Sequence, residues 1–212
     1  MSTKNKILDA AEHLFAVNGF NGTSLREITS QAEVNLAAVN YHFGSKKELI
    51  KAVMSRYMNE LSPRLEVTLK KICEDEKKPT LIEVFSAFVQ PLLWLNEFKE
   101  NGTSNFLQLL GRGYTDSQGF LRWFLTTQYP GVISNFVEAV YKAYPELTAE
   151  EVFWRLHFTM GTLVFTMSSS DALIDIAKSD FDKSIDISGV IQQVIPYIAA
   201  GVAAPIQLPT IK

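Results

Sequence analysis

TSLREITSQAEVNLAAVNYHFGSKKEL, residues Thr23 to Leu49, divides into two short helical segments, a tight connection and the capped beginning of a third. Ser24 with Glu27, and Ser45 with Glu48, fit the Ser-x-x-Glu capping box, in which the serine oxygen and the glutamate carboxylate satisfy backbone donors that a helix start leaves orphaned. Two helix starts are thereby marked about twenty residues apart. Upstream, Ile7, Leu8, Ala11, Leu14 and Phe15 recur at helical spacing, and Gly19 stands where a positive-φ stop is expected.

Leu25, Ile28, Ala32, Val34, Val39 and Phe43 can close a small core with that first helix. Arg26, Asn35, Ala37, Ala38, Asn40, Tyr41 and His42 are then left outside. Small alanines permit close approach to base edges or thymine methyls. Asparagine can pair bidentately with adenine, and Tyr, His and Lys donate to phosphates. Lys46 and Lys47 add cationic charge at the positive end of the next helix. The expectation is a helix-turn-helix DNA reader, although caps alone specify helices and not partners.

The full string resembles the DNA-binding region of the TetR family of bacterial regulators. In that family a Thr/Ser-capped helix carrying Arg leads to an aromatic-His-Phe close and a Ser-Lys-Lys/Glu-Glu-Leu run, here Thr23, Ser24, Arg26, Tyr41, His42, Phe43, Ser45, Lys46, Glu48 and Leu49. Asn40 departs from the commonest spelling, which has tyrosine there and a phosphate contact with it. The resemblance implies an all-α chain, with a three-helix helix-turn-helix domain at residues 1–50 and a helical effector-binding and dimerisation domain at 51–212. It further implies a homodimer on a palindromic double-stranded operator. The DNA contacts would come from Ser24, Arg26, Asn35, Ala37, Ala38, Asn40, Tyr41, His42 and Lys46, with Lys47 a weaker candidate.

At 212 residues and 47% hydrophobic, the chain can bury a sizeable core. A lone cysteine, Cys73, excludes an internal disulfide, and no charged-then-apolar leader precedes Ile7, so a cytoplasmic protein is expected. The Asn-x-Thr triplets at Asn21 and Asn101 then read as loop or cap chemistry. No apolar run reaches the roughly 18 residues of a membrane span. Formal net charge is -3, yet residues 1 to 60 carry +1 and the rest -4. A nearly neutral reader implies weak background binding and reliance on well-placed contacts from a dimer.

Beyond Leu49 a long helix is expected to about Ile72, then a charged break from Glu74 to Pro79. Helices follow at roughly 80–99, 104–114, 118–143, 148–170 and 187–201. Pro91, Pro130 and Pro196 should kink or interrupt these runs, and the tail from Ala203, with Pro205 and Pro209, reads as unstructured. Val152 to Met167 is apolar nearly all round, which suits a helix covered by its own domain and by a partner subunit. Gly161 and Gly201 would let helices approach closely.

Phe106, Leu110, Tyr114, Phe120, Trp123, Phe124, Phe136 and Phe158 line either an ordinary core or an apolar ligand cavity. The segments LAAVNYHFGSKKELI, LLGRGYTDSQGFLRWFL, VFWRLHFTMG and VIPYIAAGV resemble a TetR branch that senses long-chain fatty acids or their derivatives. An acyl chain suits such a cavity, at about 0.8 kcal/mol per buried methylene. Its carboxylate would need Arg112, Arg122 or Arg155, with Arg155 beside His157 ranked first. An arginine there more often pairs with an acid such as Glu138, or across a dimer, than with a ligand. A different apolar or drug-like effector is the alternative.

No catalytic machinery is expected. His13, His42 and His157 are too scattered to hold a metal, and there is no Gly-x-Ser-x-Gly elbow or phosphate loop. Cys73 beside Glu74 and Asp75 sits where a thiolate is disfavoured. No cofactor is expected either. A helical protein–protein adaptor would account for the C-terminal part but leave the Tyr-His-Phe segment idle.

Overall fold

The computed structural model describes residues 2–116 and 119–205, and every regular element in them is an α-helix. The order is α1 (Thr3–Gly22), α2 (Leu25–Gln31), α3 (Leu36–Phe43), α4 (Lys46–Glu74), α5 (Leu81–Ser86), α6 (Val89–Phe98), α7 (Gly102–Asp116), α8 (Phe120–Gln128), α9 (Pro130–Ala143), α10 (Ala149–Ser168), α11 (Ser170–Phe181) and α12 (Ile187–Ala203). The helices group into two compact units, one of Met1–Val67 with Gln90–Ser134, the other of Thr68–Val89 with Asn135–Lys212. Helix α4 is continuous through residue 50 and contributes to both.

In the first unit α1 packs on α2, α3 and α7. Ile7, Leu8, Ala11 and Phe15 of α1 are buried, as are Ile28, Ala32, Val39, Phe43, Leu49 and Val53. Each large apolar side chain so buried contributes about 1.5–3 kcal/mol. Leu25 and Val34, expected in this core, are only half-buried. Gly19 interrupts α1 at φ 79°, a backbone that L side chains rarely adopt, and one further helical turn follows. The Thr23 hydroxyl closes that end by donating to the Gly19 carbonyl at 2.8 Å. Phe15 and Phe20 meet edge to face across the break, centroids 5.2 Å apart.

Ser24–Glu27, Thr80–Glu83 and Thr148–Glu151 form complete capping boxes at the starts of α2, α5 and α10. Ser45 forms half of one. Its hydroxyl accepts from the Glu48 N–H at 3.2 Å, but its own N–H donates to the Phe43 carbonyl and the Glu48 carboxylate goes to Lys51.

Three expected helices divide or extend. The run at 80–99 breaks at Ala87 and Phe88, which places buried Pro91 in the first turn of α6, where its missing N–H costs no bond. The run at 118–143 breaks at Tyr129 because the residue before a proline avoids helical torsions, so Pro130 opens α9; residue 118 itself lies outside the described residues. The third, at 148–170, ends as α10, and α11 was not anticipated at all. Ser169 at φ -108°, ψ 13° turns the chain directly from α10 into α11. The rest of the expected loose tail, from residue 206 and including Pro209, lies outside the described residues, as does the Met167 side chain.

In the second unit α12 packs between α10 and α5, burying Val190, Ile191, Val194, Ile195, Ile198 and Val202. Lys142 of α9 donates to the carbonyls of Ile72, Cys73 and Asp75, so an ammonium closes the C-terminal end of α4. Among the described residues, no helix is long and apolar enough to cross a membrane, and no cluster of His, Cys, Asp and Glu could hold a metal.

Candidate nucleic-acid interface

Helix α3 is aimed by the turn before it. Glu33 takes a left-handed backbone, φ 54°, while the Val34 N–H donates to the Thr29 carbonyl at 3.0 Å. With Val39 and Phe43 locked inward, Ala37, Asn40 and Tyr41 face solvent and Ala38 and His42 are half-exposed. Tyr41 is 86% exposed, resting edge-on against His42 with ring centroids 5.1 Å apart. An apolar aromatic surface left so open in an ordered helix is the kind that a partner covers.

Each expected DNA contact occupies a distinct local situation. Asn35 is the N-cap of α3, its Oδ1 accepting from the Ala38 N–H at 2.9 Å. Its amide NH₂ remains available to an acceptor, but bidentate pairing with adenine would break the cap. Asn40, exposed on the second turn, keeps both amide atoms. The Ser24 oxygen accepts from the Glu27 N–H at 3.2 Å, which leaves the hydroxyl hydrogen for a phosphate. Arg26 is exposed in the first turn of α2, and Lys46 is half-exposed as the first residue of α4.

Ion pairs offset several of the acidic side chains in this part of the chain. Asp9 and Glu12 on α1 are held by Arg56 of α4 and Lys99 beyond α6, at 2.6 to 3.4 Å. Glu48 is held by Lys51 at 2.6 Å. Glu27 remains an anion, because the bonds from Ser24 hold its carboxyl below the usual carboxylate range. Lys4, Lys6, Arg26, Lys46 and Lys47 form no ion pair with a described residue. The Glu12 cluster was not anticipated, although an acidic residue inside the apolar stripe of α1 was a legible sign of it.

The expected ligand-lining residues do not converge. Phe106, Leu110 and Phe124 are buried packing of the first unit, where Phe106 lies 5.7 Å from the Tyr57 ring. Phe120 and Trp123, in the same unit, stand against Lys47 of α4 instead. Tyr114 is 38% exposed on α7. Phe136 is half-buried against Phe85 and Phe88 in the second unit, and Phe158 is exposed on α10. The Arg155 guanidinium is already committed, donating to the Val202 carbonyl at the end of α12 and pairing with Glu151, not Glu138, at 3.7 Å. His157 Nδ1 lies 2.6 Å from the Phe153 carbonyl. Arg112 donates to the Val17 carbonyl at 2.9 Å. Burial first, and then Glu138, push the Cys73 thiol up, away from a reactive thiolate.

Residues 7–53 match the family model "Bacterial regulatory proteins, tetR family", and residues 86–201 match "Tetracyclin repressor-like, C-terminal domain". A Bacillus subtilis (strain 168) protein named "Probable HTH-type transcriptional regulator YttP" is 36% identical over 84 residues, 40% of this chain and 41% of that one. The match thus spans about two-fifths of that relative. Among solved structures, a TetR-family assignment from Shewanella sp. PV-4 superposes with TM-score 0.61 at 17% identity, covering 93% of this chain and 96% of the other. A Clostridium perfringens protein assigned as a fatty acid metabolism regulator gives TM-score 0.53 at 23% identity, covering 95% and 100%. At such identities the likeness is one of fold. Both halves of the chain, the capped reader and the helical body behind it, therefore carry the family's own pattern, and the chain belongs to the TetR family of helix-turn-helix transcriptional regulators.

Proposed function

We propose that the chain is a ligand-responsive repressor that binds a palindromic operator as a homodimer and is released by an apolar effector, a long-chain fatty acid or acyl derivative. Division of labour follows the two parts, residues 1–50 reading DNA and 51–212 sensing and dimerising. One observation carries the reading: α3 turns Ala37, Asn40 and Tyr41 to solvent over a fully packed inner face. Two such helices, one per subunit, would enter successive major grooves about 34 Å apart. Asn40 and the alanines would meet base edges, with Ser24, Arg26, Tyr41, His42 and Lys46 on the backbone and Asn35 donating through its amide.

Dimerisation is supported by α10, where Trp154, Phe158, Gly161 and Phe165 share one exposed face. Exposed Tyr197 and Gly201 do the same on α12. The acyl effector is supported by the sequence segments that resemble that branch and by the function assigned to the Clostridium perfringens neighbour. Helix α4 contributes to both units and would carry the signal. A 100-fold difference in effector affinity between the two forms corresponds to about 2.7 kcal/mol of coupling.

The test is binding to a labelled duplex from upstream of the chain's own gene, beside a scrambled duplex, with palmitoyl ligands titrated into each. Specific binding abolished by ligand supports the whole reading. Specific binding that ignores every acyl ligand discards the effector, and indifference between the duplexes discards the DNA reader.

A further inference from the structure

An open cleft of about 640 Å³ lies in the first unit, between the end of α1, the start of α4 and the start of α8. It is lined by the apolar Phe20, Ile50, Phe120 and Trp123, by Asn21, and by the cationic Lys46 and Lys47, and among the described residues no carboxylate lines it. Lys47 Nζ stands 5.6 Å from the centroids of both Phe120 and Trp123, and Lys51 Nζ approaches the same indole to 4.9 Å. Lys51 is balanced by Glu48, whereas Lys47 forms no ion pair with a described residue and lies over the two aromatic rings. Trp123 remains 45% exposed.

An ammonium over an open indole is weakly held, by about 0.5–1 kcal/mol. It is therefore available to a stronger partner that also covers the rings. The volume falls within the range of small-ligand sites, and convergent polar groups at one side of an apolar floor are what fix a ligand's orientation. The dipole of the long helix α4 favours a negative group at the same end.

We infer that this cleft binds an apolar monoanion, a carboxylate on an acyl or aryl body, with the carboxylate on Lys46 and Lys47 and the body on Phe120 and Trp123. The inference extends the effector reading by placing an anion site on the reader itself, and it is tested without DNA so that the two can fail separately. Occupancy would neutralise Lys46, one of the proposed phosphate contacts.

A chain carrying Trp94→Phe and Trp154→Phe leaves Trp123 as the sole tryptophan. Its fluorescence is titrated with decanoate and, separately, with decanol. A saturable change is expected with decanoate, at least tenfold weaker with decanol. Lys46→Gln with Lys47→Gln should weaken decanoate at least tenfold, while Lys70→Gln, on an exposed stretch of the same helix, should titrate like the parent. Far-UV circular dichroism checks that each variant is folded. Equal affinity for acid and alcohol, a double variant that titrates like the parent, an equal loss from Lys70→Gln, or no response of Trp123 would each overturn the inference.

Discussion

The Tyr57 hydroxyl donates to Glu12 Oε1 at 2.6 Å, joining α4 to α1 across 45 residues of sequence inside the first unit. Glu12 is 3% exposed and also receives Arg56 and Lys99. Burial, reinforced by the Glu12 carboxylate, pushes the phenol far above its ordinary value, so it stays a donor throughout the neutral range. Glu12→Ala would leave Arg56 and Lys99 on Asp9 alone and the phenol without its carboxylate acceptor. It should cost about 1–3 kcal/mol in denaturant unfolding. Tyr57→Phe should cost about 1–3 kcal/mol, because it removes a bond to a buried carboxylate that keeps its other partners.

The capping boxes set an acid limit. Bonds from the cap residues hold Glu27, Glu83 and Glu151 below their ordinary value of 4.5. A carboxyl depressed in the folded state contributes stability that is complete above its unfolded value and lost as pH falls through the folded one. Helix content should therefore be flat from neutral pH to about 5 and decline below 4.5. Ser24→Ala should cost about 1 kcal/mol at pH 7. Glu27→Gln should remove that box's share of the acid dependence, read by comparing stability at pH 7 and pH 4.

Caps and 3.6-residue periodicity are local, and the elements they mark, α1 to α4, were legible in the sequence. So was the exposed face of α3, because Val39 and Phe43 leave one arc free. Breaks at Ala87 and Tyr129 were harder to place. A proline inside an apolar run signals an interruption, but the helix can restart up to one turn before it, as α6 does ahead of Pro91. Helix α11 was missed because the expected helix stopped at residue 170 and nothing was read as helical from there to 187, although Leu173 and Ala177 stand at helical spacing. The pairing of Glu12 with Lys99 joins residues 87 apart, and no local pattern encodes it. The aromatic residues were legible as a group and illegible one by one, since core and cavity demand the same side chains.

Direct tests of the reader follow from exposure. Tyr41→Ala removes a side chain that supports no core, so circular dichroism and thermal midpoint should be unchanged while operator affinity falls at least tenfold. Ala37→Leu adds bulk on the exposed face and should abolish specific binding through steric exclusion, again without loss of fold. Lys46→Gln should weaken binding to all duplexes alike and reduce the salt slope by about two, one for each subunit of the dimer. An operator affinity indifferent to all three changes would remove α3 and the start of α4 from the interface.

Gly102 separates packing from function. A Cβ there would lie 2.0 Å from the Leu95 carbonyl oxygen, so α7 can begin against α6 only with glycine. Neither backbone can yield without disturbing the Thr103 N–H bond to Asn96 at 3.0 Å. Gly102→Ala should cost about 1–3 kcal/mol, or more if α7 cannot shift. Denaturant unfolding of the variant beside the parent measures it.

Gly161 presents the opposite case, on the face of α10 that is proposed to meet a second subunit. A Cβ at this position meets nothing within 4 Å in the single chain, and its neighbours on that face, Trp154, Phe158 and Phe165, are exposed. Within one subunit Gly161→Leu should be neutral or favourable, since replacing glycine inside a helix gains about 0.8–1 kcal/mol. Across a close helix pair the same leucine would have no room. The variant should therefore keep its helix content but sediment as a monomer at micromolar concentration, where the parent sediments as a dimer. A variant that stays dimeric would move the interface off this face of α10, and a parent that is itself monomeric would end the homodimer reading.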